Sequence, residues 1–306
     1  MREVQSLEGL RVAVMYGGPG AEREVSVRSG QAVAAALASL GREVIPVELH
    51  AARVEVPEGT DLVFNMIHGT FGEDGELQAQ LDSMGVPYTG EGAAASRTAF
   101  DKILSKRAFE AAGVATPEWK VVGSNDPAPF EAPFVVKAPR QGSSVGVHIL
   151  RDAAGYGDAL RDCLQYGDDV LVEKFFAGRE LTIGVLGREA LPIIEIRPKQ
   201  GFYDYQNKYT KGATDYLVPA PLDAAVAGQI SDLALAAYRA IGLEVYARVD
   251  ILLDGDGNGS VLEINTIPGM TETSLLPKAA AVRGMGFAEL CERIGVLSLN
   301  RRASWP

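Results

Sequence analysis

The sequence predicts an α/β fold whose C-terminal half is of the α+β type. The apolar strand Arg11–Tyr16 passes through a glycine-rich turn at 17–20 into a long helix, Ala21–Leu40, and this succession opens an α/β unit. Two further apolar strands follow at Val44–Val47 and Leu62–Ile67. The C-terminal half instead pairs neighbouring apolar runs around short turns, which is typical of antiparallel strands. These runs are Glu180–Leu186 with Ala190–Ile196, and Val249–Leu253 with Ser260–Ile264.

Length and composition restrict the class of protein. A chain of 306 residues with 47% hydrophobic residues predicts two or three folded domains. The net charge of −11, from 29 basic and 40 acidic residues, argues against a nucleic-acid binder. Two cysteines without a CxxC pattern predict neither a disulfide framework nor a zinc site, and we expect two free thiols. No signal peptide and no membrane-spanning run is recognised, so the sequence predicts a soluble cytoplasmic protein.

The first α/β unit contains two candidate ligand-binding side chains. The dinucleotide pattern G-x-G-x-x-G fails after the first strand, because Arg23 stands three positions after Gly20. Glu22 in this turn is suited either to bind an ammonium group or to cap the following helix. His68 follows the strand Leu62–Ile67, at the edge where α/β proteins bind ligands, or it is a structural histidine of that loop.

The middle of the chain carries a candidate phosphate site. A predicted helix, Ser96–Ala112, contains Lys102, and the strand Phe134–Lys137 ends in a second lysine. The loop at 139–146 is rich in glycine and serine and offers backbone N–H groups and hydroxyls to a phosphate. The same loop fits the G-x-S-x-G pattern of serine hydrolases, but that pattern needs a following helix, whereas a strand is predicted here. A plain hairpin loop is the remaining alternative.

Residues 201–216 are polar and aromatic and are predicted to form a functional lid loop rather than surface decoration. Helices are predicted on either side of this loop. They are Glu73–Met84, Ala153–Tyr166, Leu222–Ile241 and Phe287–Ile294.

The hairpin at 248–265 predicts a metal site. Side chains two apart on a strand share a face, so Asp250, Glu263 and Asn265 can converge, with Arg248 beside them. Two carboxylates and an amide oxygen are hard ligands that suit Mg²⁺ bound to phosphates. The turn at 254–259 resembles half of an EF-hand, but its twelfth position is Asn265 instead of glutamate. A structural ion pair between Asp250 and Arg248, or simple solvated strand positions, remain alternatives.

Taken together, these segments resemble the D-alanine–D-alanine ligase family of the ATP-grasp superfamily over residues 11–294. The segments that carry the resemblance are GGPGAEREVS (17–26), HGTFGEDG (68–75), PYTGEG (87–92), DK (101–102), VVKAPRQGSSVG (135–146), VEKFFAGRE (172–180), FYDYQNKY (202–209), RVDILL (248–253) and EINTIPGMTETSL (263–275). The resemblance implies an ATP-grasp fold of three domains, with the nucleotide held between two sheets. We place these domains at 1–95 (Rossmann-like, substrate-binding), 96–179 (central) and 180–306 (C-terminal, with the metal site and the lid).

The resemblance also implies a role for each site residue. The ATP-binding residues would be Lys102, Lys137, Ser144, Glu173, Lys174, Phe175, Phe176, Glu180, Phe202, Lys208 and Leu252. The D-alanine-binding residues would be Glu22, His68, Lys208, Arg248, Ser274 and Leu275. The catalytic residues would be Glu22, Ser143, Tyr209, Arg248 and Gly269, the last through its backbone N–H. Two Mg²⁺ ions, with Mn²⁺ as an alternative ion, would bind Asp250, Glu263 and Asn265.

The implied activity is the ATP-dependent joining of two D-alanines through a D-alanyl phosphate, for bacterial peptidoglycan precursor synthesis by a cytoplasmic homodimer. The alternatives within this resemblance are ligases that form D-alanyl-D-lactate or D-alanyl-D-serine. A regulatory ATP-binding module without chemistry is a further alternative. It would be expected to lack a metal carboxylate or Arg248, and both are present.

Overall fold

The computed structural model describes residues 4–199, 210 and 212–301, and contains three sheets. The first is a parallel sheet in the order β2-β1-β3, made of β1 (Arg11–Gly17), β2 (Glu43–Leu49) and β3 (Leu62–Asn65). The helices α1 (Arg23–Ser39) and α2 (Glu76–Met84) belong to the same unit. This confirms the α/β opening predicted from the strand, turn and helix. Below, residues 4–92 are called the N-terminal unit.

The second sheet is antiparallel, in the order β4-β7-β5-β6. Its strands are β4 (Trp119–Val122), β5 (Phe134–Lys137), β6 (Val147–Leu150) and β7 (Val170–Lys174). The helix α5 (Tyr156–Cys163) packs on this sheet through a small apolar core and continues into a 3-10 turn at Leu164–Tyr166. The predicted loop at 139–146 therefore connects two paired strands, β5 and β6, and the nucleophile elbow of a hydrolase is ruled out.

The third sheet is also antiparallel, and its main path is β11-β10-β8-β12-β13, with β9 beside β8. Its strands are β8 (Arg179–Leu186), β9 (Glu189–Ala190), β10 (Ile194–Pro198), β11 (Thr214–Leu217), β12 (Tyr246–Leu253) and β13 (Gly259–Asn265). The helix α6 (Ala224–Ile241) covers one face of this sheet. The helices α7 (Leu275–Val282) and α8 (Phe287–Leu299) follow β13 and pack together with the first sheet in one core.

Two predicted segments need correction. The single helix expected at Ser96–Ala112 is two helices, α3 (Ala93–Phe100) and α4 (Lys102–Ala111). They separate at Asp101, whose extended backbone and side-chain acceptor cap the N–H groups of Ile103 and Leu104. The lid loop expected at 201–216 is also too long, because residues 214–216 lie in β11 and pair with β10. The part of that loop at 201–209 and 211 lies outside the described residues. Among the described residues, no helix has the length and apolarity needed to cross a membrane.

Candidate active site

Two neighbouring cavities lie between the sheets. The smaller, of about 400 Å³, lies between the N-terminal unit and the end of the β12–β13 hairpin. The larger, of about 810 Å³, lies between the second and third sheets. Lys102, Gln141 and Glu263 line both cavities. A ligand in one cavity can therefore approach a ligand in the other at these three side chains.

The loop between β5 and β6 separates the cavities and presents a different serine to each. Ser143 lines the smaller cavity and Ser144 the larger. Both have positive φ angles, 49° and 61°, which are uncommon for residues other than glycine and often mark functional loops. The loop is tied to the start of α4, because the Lys102 ammonium donates to the Gln141 carbonyl at 2.9 Å and its backbone N–H donates to the Pro139 carbonyl.

Glu22 lies at the entrance to α1, and its side chain does not cap the helix. Instead, its carboxylate accepts a short hydrogen bond from the Ser143 hydroxyl. A Cβ atom at Gly69 or Gly142 would lie 2.5 or 2.8 Å from the carboxylate oxygen Oε2 of Glu22. The two glycines thus give the carboxylate room at the wall of the smaller cavity, and the capping alternative is wrong.

His68 combines both alternatives left open by the sequence. It lines the smaller cavity, yet it is only 4% exposed and its ring nitrogens are engaged. Its Nδ1 lies 2.8 Å from the carbonyl of Ile267, and its Nε2 lies 3.1 Å from the hydroxyl of Ser29. Because a carbonyl only accepts, Nδ1 carries a proton. Burial raises the pKa of the neighbouring Glu73, whose carboxylate lies 3.7 Å from the same ring.

A buried charge cluster forms one wall of the larger cavity. Glu173 is 1% exposed and pairs with Lys137 at 2.6 Å and with Lys106 at 2.8 Å. Burial opposes ionisation of Glu173, but the two lysines lower the pKa of this carboxyl overall. Burial lowers the pKa of Lys106 to about 8, and its ammonium also donates to Thr116 at 2.6 Å. Lys137 is therefore held at the cavity wall by the Glu173 carboxylate, which Lys106 holds in turn.

The β12–β13 hairpin brings the predicted metal ligands together. Asp250 lies directly opposite Glu263, and Arg248 opposite Asn265. Arg248 forms a two-bond ion pair with Asp250, at 3.0 and 2.9 Å, so the ion-pair alternative is also correct in this structure. The Glu263 carboxylate lies 3.1 Å from the Lys102 ammonium, and the Asn265 side-chain oxygen accepts the Ile267 N–H at 3.0 Å.

These three side chains fit a magnesium site by donor type. Both carboxylates and the amide present oxygen atoms, which Mg²⁺ prefers, and they lie where the two cavities adjoin. Among the described residues, no group of three or more histidine, cysteine, aspartate or glutamate side chains is suited to hold a metal. The set of Asp250, Glu263 and Asn265 falls outside that description because asparagine is not one of those residue types. Mg²⁺ would complete its shell there with water and phosphate oxygens.

The remaining predicted nucleotide residues line the larger cavity. The end of β7 and the residues after it supply Lys174, Phe175 and Phe176. The guanidinium of Arg151 lies 4.7 Å from the ring centre of Phe175. Glu180 and Leu252 pair across β8 and β12 and also line this cavity.

The remaining predicted substrate residues line the smaller cavity. These are Gly269, Ser274 and Leu275, with Ser274 at the N-terminal end of α7. Phe202, Lys208 and Tyr209 fall outside the described residues, so their expected positions stay predictions. The other predicted site residues each line at least one of the two cavities.

The prediction from sequence missed three residues that line the cavities or support their walls. Gln141 lines both, Lys106 anchors Glu173, and Arg151 lies on Phe175. The spacing of Lys102 and Lys106, one helical turn apart in α4, was the available signal for Lys106, because such residues share a helix face. Arg151 follows β6 without a distinctive neighbour, and no local signal marks it.

Known proteins are similar to this chain over most of its length. A family model described as the D-ala D-ala ligase C-terminus matches residues 109–295, and one described as the D-ala D-ala ligase N-terminus matches residues 49–91. The D-alanine–D-alanine ligase of Methylacidiphilum infernorum is 47% identical over 290 residues, which cover 95% of this chain and 96% of the relative. That of Desulforudis audaxviator is 45% identical over 304 residues, covering 95% and 99%.

Solved structures agree as well. The crystal structure of D-alanine–D-alanine ligase from Bacillus anthracis complexed with ATP superimposes with a TM-score of 0.85 at 32% identity, covering 95% of this chain and 98% of that one. This similarity confirms the predicted ATP-grasp fold. The two family models match the N-terminal and C-terminal parts of the chain, and the relatives cover almost all of it. The chain therefore belongs to the D-alanine–D-alanine ligase family.

Proposed function

We propose that this protein uses ATP to join two D-alanine molecules through a D-alanyl phosphate. The observation that carries the proposal is the meeting of the two cavities at Lys102, Gln141 and Glu263. The larger cavity has the size and the cationic wall for a nucleotide, and the smaller has a fixed carboxylate, Glu22, and a cation, Arg248. A phosphoryl group can thus be transferred between ligands without leaving the protein.

The first step activates the first D-alanine. Its ammonium group binds Glu22, which Ser143 holds in place, so that its carboxylate points towards the junction of the cavities. A carboxylate oxygen attacks the γ-phosphorus of ATP, the bond to the β-phosphate oxygen breaks, and ADP leaves. Lys102 and Lys137 neutralise charge on the phosphates during this transfer. The remaining nucleotide contacts are assigned to Ser144, to residues 173–176, and to Glu180 and Leu252.

The second step forms the peptide bond. The deprotonated amine of the second D-alanine attacks the acyl carbon, and a tetrahedral oxyanion develops. Arg248 and the backbone N–H of Gly269 stabilise this oxyanion. The bond to the phosphate oxygen then breaks, and the departing phosphate takes up the proton that the attacking nitrogen loses, which gives hydrogen phosphate and D-alanyl-D-alanine. Ser274 and Leu275, with Lys208 of the lid, are assigned to the second substrate, and Tyr209 of the lid is assigned to support Glu22 together with Ser143.

Magnesium completes the assignment. Asp250, Glu263 and Asn265 would hold two Mg²⁺ ions, or Mn²⁺ in their place. When bound, these ions would screen the negative charge of the ATP phosphates. In the described structure, Lys102 and Arg248 supply positive charge beside the same carboxylates, at 3.1 and 2.9 Å.

The family resemblance extends the proposal to the setting of the protein. We assign the N-terminal, central and C-terminal domains to residues 1–95, 96–179 and 180–306. A cytoplasmic homodimer that supplies peptidoglycan precursors is the setting the resemblance implies. Size-exclusion chromatography coupled to light scattering tests the dimer directly.

Phosphate release in the presence of ATP and Mg²⁺ tests the activity. We expect release that depends on D-alanine, with one dipeptide formed per phosphate, and no comparable release with L-alanine. The matched control is Glu22→Gln, which keeps the shape of the side chain and removes the charge that binds the ammonium. Equal turnover of both enantiomers, or phosphate release without dipeptide, would contradict the proposal. A panel of D-lactate and D-serine separates it from the alternative ligases.

A further inference from the structure

Glu91 is a buried carboxylate that the proposed mechanism does not use. It lies in the last turn of the N-terminal unit and is only 2% exposed. This turn is fixed to the first sheet, because the N–H of Thr89 donates to the Val63 carbonyl and the N–H of Asn65 donates to the Thr89 hydroxyl. Glu91 therefore moves with the unit that carries Glu22.

The side chain of Glu91 reaches into the third sheet. Its Oε2 accepts the N–H of Glu244 at 2.8 Å, and its Oε1 accepts the N–H groups of Val245 at 2.8 Å and Tyr246 at 3.1 Å. Three consecutive backbone donors on one carboxylate form an anion-binding concavity of the kind that ligands usually occupy. Here the anion is a side chain of the same chain. The hydroxyl of Tyr238 in α6 lies 3.4 Å from the same Oε1.

The segment held by Glu91 leads directly into the candidate catalytic strand. Tyr246 is the first residue of β12, and Arg248 follows on the same strand. A second connection fixes the other side of the oxyanion site. The N–H of Met270 donates to the Ser29 hydroxyl at 3.2 Å, and His68 lies 2.8 Å from the Ile267 carbonyl. The N-terminal unit thus holds both the start of the strand that carries Arg248 and the loop that contains Gly269.

We propose that Glu91 is a positioning residue that, in its ionised form, fixes the start of β12 and thereby sets Arg248 in place relative to Glu22. This inference rests on the proposed function for its effect on turnover. It gives a catalytic effect to a contact that takes no part in the proposed chemical steps. Glu91 lines neither cavity, so its effect on the site must pass through the residues that it contacts.

The contact is sensitive to pH. Burial raises the pKa of Glu91 to about 7, against the three N–H groups and the nearby Arg301, which favour the charged form. The other ionisable groups around it are Tyr238 from α6, and Glu244 and Tyr246 on the segment that it holds. Below this pKa the carboxyl carries a proton and presents one full acceptor instead of two. With fewer hydrogen bonds, the carboxyl fixes the position of Glu244–Tyr246 less firmly within the folded state as pH falls from 8 to 6, although the neutral carboxyl is less costly to bury than the charged one.

Kinetics of Glu91→Gln test the proposal. The amide keeps one acceptor oxygen and turns an NH₂ group towards a backbone donor. At pH 8 we expect kcat to fall roughly ten- to hundred-fold, because small misplacements of catalytic groups are costly, with the KM for ATP unchanged. At pH 6 the ratio of the wild-type kcat to that of Glu91→Gln should be smaller than at pH 8, because the wild-type carboxyl is then mostly neutral as well.

The matched control is Ser298→Ala, which removes the acceptor of the Gly90 N–H in the same turn, at 3.1 Å, and leaves Glu91 in place. Its rate relative to the wild type should be the same at both pH values. If Glu91→Gln also shows one constant ratio at pH 6 and pH 8, Glu91 is merely structural and the proposal is wrong.

Amide hydrogen exchange of the wild-type protein tests the contact without any variant or any activity. After correction for intrinsic rates, protection at residues 244–246 should rise between pH 8 and pH 6, because opening returns Glu91 to water, where its ordinary pKa is 4.5, so protonation favours the closed form. Protection at Ile251 in the middle of β12 should stay constant. Unchanged protection at 244–246 would overturn the proposal. This measurement stands even if the ligase activity is absent, so the two proposals can fail separately.

Discussion

A single methyl group at Gly142 is expected to weaken the D-alanine site without disturbing the fold. In Gly142→Ala the new Cβ would lie 2.8 Å from Oε2 of Glu22 and 3.5 Å from its Cδ. The φ angle of Gly142 does not lie in the left-handed region, so alanine is tolerated by the backbone. The nearest atom belongs to the far end of a flexible side chain. The clash is therefore relieved by moving the Glu22 carboxylate.

The size of the effect follows from that movement. Ordinary contact begins near 3.4 Å, so the carboxylate must retreat by about 0.6 Å from a position fixed by Ser143. Displacements of this order at a binding group reduce kcat/KM for D-alanine by roughly ten-fold, or about 1.4 kcal/mol. Gly142 lines only the smaller cavity, so the KM for ATP should stay within about two-fold of the wild type.

The assay is phosphate release at varied D-alanine and varied ATP, together with a thermal melt. The control is Gly228→Ala, since nothing lies within 4 Å of a Cβ at that position in α6. In the background Glu22→Ala, where the carboxylate is absent, Gly142→Ala should have no further effect on D-alanine kinetics. An unchanged kcat/KM for D-alanine in a normally folded Gly142→Ala protein would show that Glu22 is not the ammonium anchor.

Three further predictions concern buried ionisable groups. Glu173→Gln should lower the free energy of unfolding by about 3–5 kcal/mol in urea titrations, because two buried lysines lose their counter-ion; a loss below 1 kcal/mol would contradict the buried cluster. The pKa of Glu91 is raised from 4.5 to about 7 on folding, so between these pH values the folded state binds a proton that the unfolded state does not. Relative to Glu91→Gln, the wild type should therefore lose roughly 3 kcal/mol of unfolding free energy as pH rises from 4.5 to 7, and a constant difference in unfolding free energy between the two proteins would refute this. Cys163 and Cys291 are free and buried, and burial raises the pKa of Cys163 to about 12. A thiol reagent should therefore react slowly with the native protein and count two thiols after denaturation without reductant, whereas a count of zero would indicate a disulfide.

Local sequence patterns predicted the parts of this protein whose signals lie within a few residues. The two apolar runs Val249–Leu253 and Ser260–Ile264, joined by a turn, predicted the hairpin, and the structure pairs Asp250 with Glu263 across it. The break at Asp101 was missed although aspartate is a strong N-cap residue, because the apolar pattern continues through it. A cap within an apolar run gives the same helical periodicity on both sides and is therefore hard to see.

The contacts that join the cavities were beyond local patterns. The pairing of Lys102 with Glu263 joins the start of α4 to β13 of the third sheet, and nothing near either residue specifies the other. The role of Glu22 was left undecided because the choice depended on Ser143, which lies 121 positions further along the chain. The family resemblance named these residues together, but only the folded chain brings them within hydrogen-bonding distance.

The N-terminal unit has a larger part in the site than its carboxylates in the smaller cavity suggest. Three of its side chains reach into the third sheet and the loop after it: Glu91 at 244–246, His68 at Ile267 and Ser29 at Met270. The two groups assigned to the oxyanion, Arg248 and Gly269, lie within three residues of these contacts along the chain. The proposed ammonium site at Glu22 and the proposed oxyanion site are thus both contacted by the N-terminal unit. Under the proposed function, one D-alanine must stay in place through two successive attacks. This arrangement suits that requirement, because the N-terminal unit then helps to position the groups at both ends of that molecule.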